Sequence, residues 1–135
     1  MPLSSSAART TGDTLRRFIR TADLSFVLIQ NTCLSYAMCF PNKLLESLLA
    51  GVPVIASDLI ELRRVVGETR GGIVVDQTDV AEIHAAVGRL LAHRSDYVPG
   101  EGQLEDMMSR YGWATQRARL IQLYQALAEP PQSAR

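Results

Sequence analysis

Residues 40–58, FPNKLLESLLAGVPVIASD, read as a helix, a glycine stop and a buried strand. Pro41 suits the first helical position, because its missing N–H would be unpaired in a first turn anyway. At ~100° per residue, Leu44, Leu45, Leu48 and Leu49 fall on one face, and Asn42, Lys43, Glu46 and Ser47 on the other. Gly51 stands where a left-handed residue would end the helix. Val52 to Ala56 is a short, unbroken apolar run, the mark of a strand covered on both faces, with Pro53 tolerated near its start.

Outward from that stretch the chain alternates. A helix capped by Asp13 is predicted through Thr21, then a strand over 24–30 and a loop over 31–40. After the strand at 52–57, a short helix spans 60–66, with Asp58 and Glu61 as its capping carboxylates. Gly71 and Gly72 make a turn into a third strand, 73–75. Asp79 caps the next helix, whose inward stripe is Val80, Ile83, Val87, Leu90 and Leu91. A loop over 95–102 precedes helices around 104–110 and 113–128, with Trp113 and Tyr124 expected in the core or at a docking surface. Strands alternating with helices imply βαβ crossovers and a parallel sheet. The fold class is therefore α/β, a partial Rossmann-like parallel sheet of about three strands flanked by helices. A doubly wound domain usually has five or six, so the first strands of such a fold are expected to be absent. The expected layout is a flexible leader (1–12), one domain (13–128) and a disordered tail (129–135).

The totals narrow the function classes. With 135 residues, the chain is one domain by length; at 47% hydrophobic and 21% charged it reads as an ordinary globular protein. A formal net charge of +0 gives no general attraction to nucleic acid or anionic membrane. Cys33 and Cys39 are too few for a disulfide framework and lack metal-ligand spacing, so reduced thiols in a cytoplasmic setting are expected. The polar start has no signal-peptide core, and Glu46, Pro53 and Asp58 interrupt the most apolar segment, which argues against a transmembrane span.

In open parallel sheets the ligand crevice lies beyond the carboxyl ends of the strands. The 31–40 loop leaves one such end and runs into the helix at Pro41, whose first N–H groups and partial positive charge suit a phosphate. Lys43 adds a full charge, and Glu46 on the same polar face suits a vicinal diol such as ribose. A Lys/Glu pair three apart on a helix is also an ordinary solvated surface pair, and pattern alone does not separate the two. His84 and His93 have no partners at ligand spacing, and Cys33 and Cys39 have no neighbouring base and read as packing residues. No GxSxG, P-loop or GxGxxG occurs. No catalytic or metal-binding residue is assigned.

The stretch NTCLSYAMCFPNKLLESLLAGVPVIASDLIELRRVV resembles the donor-binding half of bacterial GT-B fold glycosyltransferases (group 1, or family 4-like). These enzymes carry a PNK-type motif followed by a glutamate and A-G-hydrophobic-P-V. GGIVVDQTDVAEIHAAVGRLL and YGWATQRARLIQLYQAL resemble the following segment and the closing helix, in the family's order. The resemblance implies that Phe40, Pro41, Asn42, Lys43 and Leu44 face a sugar diphosphate, and that Glu46 matches the second glutamate of a paired motif that holds the ribose. The first glutamate would fall at Met38, which offers no carboxylate. A nucleoside diphosphate sugar is implied as donor substrate, with no separate cofactor. It also implies a chain truncated at the N-terminus, without the acceptor-binding domain and inactive alone. The competing expectation is a non-catalytic α/β module that self-associates through its incomplete sheet, or pairs with the missing N-terminal half.

Overall fold

The strand at the centre of the sheet is the one that the sequence marks most clearly. In a computed structural model, which describes residues 12–128, β2 (Val54–Ser57) has all four residues buried. It is flanked by β1 (Ser25–Val27) and β3 (Gly72–Val75), both parallel to it, in the order β1-β2-β3. The residues expected as leader (Gly12 aside) and tail lie outside the described residues.

Register assigns the two faces. Phe26, Ile55 and Ile73 stand in line on one side, and Val27, Ala56 and Val74 on the other. On the first side, Ile55, Ile73 and Val75 form a core with Ala86 and Leu90 of α5 (Val80–Ala92). On the second, α3 (Asn42–Leu49) packs on β1 and β2, and α4 (Ile60–Thr69) on β2 and β3. α1 (Gly12–Ile19) leans on α3. β1 is shorter than the predicted 24–30, and the 31–40 loop contains one short helix, α2 (Leu34–Ala37), which has no apolar periodicity to announce it.

Several local expectations change once tertiary partners are known. Pro41 is the N-cap, and the helix starts at Asn42. Gly51 has φ +72° and ends α3, as the sequence requires. The turn before β3, in contrast, is made by Arg70, which has φ +52°. The glycines serve another need: a Cβ at Gly72 would lie 2.0 Å from the Val54 carbonyl oxygen, and one at Gly71 2.3 Å from Leu48 Cδ2. Thr69 closes this turn, its hydroxyl donating to Val65 O (2.8 Å) and accepting from Gly71 N–H (3.2 Å).

Leu59, with no side-chain cap, occupies the N-cap of α4. Asp58 instead pairs with Arg63, and Glu61 with Arg64. Asp79 does cap α5, its Oδ1 accepting from Ala81 N–H and Glu82 N–H. Of the predicted α5 stripe, Leu90 is buried, Ile83 and Val87 are half-buried, and Val80 and Leu91 are exposed.

Residues up to Pro99 and those from Gly100 onward form two compact units. The second holds α6 (Glu101–Tyr111) and α7 (Trp113–Ala128), joined at Gly112, where a Cβ would lie 2.3 Å from Met108 O. No residue of α7 is buried. Trp113 and Tyr124, expected in the core or at a docking surface, are 72% and 66% exposed, which leaves them out of the core.

Candidate functional site

Asn42, Lys43, Leu44 and Glu46 sit on α3, which a buried serine ties to a half-buried one on β1. Ser47 was expected on the outward polar face but is buried, and its hydroxyl donates to Ser25 Oγ of β1 at 2.9 Å. Its burial fixes the helix's rotation. Leu44 and Leu48 then point into the core, and Asn42 and Lys43 are left exposed with Glu46 half-buried beside them.

Leu44 is fully buried, and its N–H donates to Pro41 O at 3.0 Å. Its contribution is therefore to anchor the helix start. Phe40 and Pro41 are half-buried where the loop joins α3. No side chain caps that end, so the first-turn donors at Asn42 and Lys43 are presented together with the positive end of the helix dipole.

Lys43 and Glu46 share a cavity of about 270 Å³, walled by Phe18 and Ile19 of α1 and by Ser25 and Ser47. It lies beside Leu24 and Ser25, at the first residue of β1, rather than beyond the strand's carboxyl end. Asn42 and Pro41 do not line it. The structure thus brings Lys43 and Glu46 together and leaves Asn42 on the exposed rim of α3.

A second cavity, about 320 Å³, does lie at the carboxyl ends of β2 and β3. Asp58, Asp76 and Glu82 line it with a single cation, Arg63. The Asp58 carboxylate holds the Arg63 guanidinium above its ordinary pKa by hydrogen bond and charge. Hydrogen bonds from the Thr78 hydroxyl and N–H hold the Asp76 carboxyl below its usual range. Three carboxylates against one paired guanidinium repel a diphosphate. By charge, the α3 side is the better place for one.

Cys33 is exposed and Cys39 half-buried, both as free thiols, and His84 and His93 are exposed. Among the described residues, no group of three or more His, Cys, Asp or Glu side chains could hold a metal ion. Among them, no helix is long and apolar enough to cross a membrane. The residue that the sequence reading passed over is Ser57. It is fully buried, and both polar functions of its hydroxyl are spent on the backbone of Ile29. Its signal was a polar residue closing the otherwise apolar strand VIAS.

Comparison with known proteins bears on this geometry. The family described as "Glycosyl transferases group 1" matches residues 5–93. A D-inositol 3-phosphate glycosyltransferase from Corynebacterium urealyticum is 28% identical over 88 residues, covering 65% of this chain and 21% of that protein. A phosphatidyl-myo-inositol mannosyltransferase from Mycobacterium leprae is 32% identical over 101 residues, covering 67% of this chain and 26% of its own length. Among solved structures, sucrose-phosphate synthase from Thermosynechococcus elongatus superposes with a TM-score of 0.67 at 25% identity, over 82% of this chain and 26% of that one. The chain thus spans about a quarter or less of the length of these relatives.

Proposed function

This chain belongs to the group 1 glycosyl transferases, and from that premise we propose that its α/β unit is the donor-binding portion of such an enzyme, taking a nucleoside diphosphate sugar. The observation that carries the reading is the pairing of Lys43 and Glu46 on one cavity, on a helix whose start has no side-chain cap. The N–H groups at Asn42 and Lys43 and the Lys43 ammonium are the donors for the diphosphate. Glu46 accepts two hydrogen bonds from the ribose hydroxyls. Phe40 and Pro41 set the loop that approaches the sugar, and Leu44 holds the helix end in place.

Glycosyl transfer needs the leaving diphosphate stabilised and an acceptor held beside the anomeric carbon. The residues named serve only the first need, so binding without turnover is expected of the chain alone. Free thiols at Cys33 and Cys39 support a reducing compartment, the cytoplasm.

The test is calorimetric titration with UDP, GDP and ADP. One of them is expected to bind, and Glu46→Ala to weaken it by roughly tenfold, the loss of about 1.4 kcal/mol in hydrogen bonds to a charged acceptor. Absence of heat with all three, together with an unchanged Glu46→Ala titration, would remove the reading. A second reading, pairing of two copies through the sheet, is favoured by β1, which has no strand on its outer side among the described residues and carries a Phe26 that is 48% exposed.

A further inference from the structure

We propose that Ser57 is a positioning residue: its buried hydroxyl sets the direction in which the 30–40 loop leaves the sheet toward the candidate donor site. The β1–β2 ladder ends at Val27 opposite Ala56. Beyond it the backbone of β2 turns away, Asp58 N–H donating to Val75 O (2.9 Å) and Leu59 N–H to Ser57 O (2.8 Å). Ile29, half-buried, is thereby left without a strand partner for either backbone group. The Ser57 hydroxyl supplies both: it accepts from Ile29 N–H at 2.6 Å and donates to Ile29 O at 2.9 Å. Two bonds from one fixed oxygen orient the peptide planes on either side of Ile29, and with them the exit of the chain into Gln30.

The far end of the loop is referenced to the same strand, because Ser47 ties α3 to Ser25. One serine hydroxyl thus ties the loop root, two residues past β1, to β2, and another ties the helix after the loop to β1. An apolar residue at 57 would take from the half-buried Ile29 the partner of both its N–H and its C=O. The consequence for ligand rests on the donor-binding reading; the consequence for the loop does not.

The experiment is amide hydrogen exchange on the free protein, read as the ratio of exchange in residues 29–40 to that in β3, so that a global loss of stability cancels. Ser57→Ala, and the size-matched Ser57→Cys should alanine not fold, are expected to raise that ratio by roughly tenfold, while Ser57→Thr, which keeps the hydroxyl, restores it. The affinity for whichever nucleoside diphosphate binds is expected to fall in parallel and to return with threonine. An unchanged ratio in both hydroxyl-free variants overturns the positioning role. A raised ratio in a protein that binds none of the three nucleotides upholds the role of Ser57 in the loop and overturns the donor reading alone.

Discussion

Gly72 and Arg70 stand two residues apart and ask for opposite substitutions. A methyl at Gly72 would meet the Val54 carbonyl at 2.0 Å and Val54 Cγ2 at 2.7 Å, across the β2–β3 ladder. Gly72→Ala is expected to destabilise by about 2–3 kcal/mol, seen as a lower denaturant midpoint at unchanged m-value. Arg70 carries a side chain in the left-handed region at φ +52°, which costs roughly 1 kcal/mol. Arg70→Gly is therefore expected to raise the midpoint, by up to about 1 kcal/mol less the added freedom of the unfolded chain. The glycine pair was legible in the sequence as a feature, but its reason was not, since a turn and a close backbone approach leave the same signature. Serine is ambiguous in the same way. On a helix face it scores as polar, and only the facing hydroxyl of Ser25 explains why Ser47 is inside.

Helix α5 shows how an element is specified from its ends. Asp79 satisfies two of the first-turn N–H groups, so Asp79→Ala is expected to cost about 1 kcal/mol, checked by thermal or denaturant unfolding of the variant. Asp79→Asn, which keeps an acceptor, is expected to recover most of that. Elements with such chemistry were readable: the Asp79 cap, the Gly51 stop and the apolar run of β2 all stand where the residues put them. The misreadings came where a side chain has two offers. Asp58 precedes a helix and looks like its cap, yet Arg63 lies within reach and takes it. Trp113 and Tyr124 of α7 read as core or docking residues, but an apolar side chain does not by itself say what covers it, and no residue of α7 is buried.

At the scale of the molecule, the ordered run of motifs made the fold and the glycosyltransferase relationship legible, because a long match constrains many positions at once. The site was only partly so: charge chemistry picked Lys43 and Glu46, while their shared cavity depends on α1 and on the start of β1, which no local pattern encodes. Among the described residues β2 is the central strand and β1 an edge strand, with Phe26 half exposed on its face. Two copies are expected to associate there, giving a weight-averaged mass by light scattering that rises with concentration and falls back in Phe26→Lys. A strictly monomeric mass throughout the series would exclude that association. The parallel topology has one more consequence, in time rather than space. Only residues 58–71 separate β2 from β3, while residues 28–53 separate β1 from β2. The shorter closure loses less chain entropy, so β2, α4 and β3 are expected to assemble first and β1 to dock onto them late. Ser25, Ile29 and the helix start at Asn42 all wait on that docking, which makes the candidate site the last part of the fold to acquire its shape and the first to lose it.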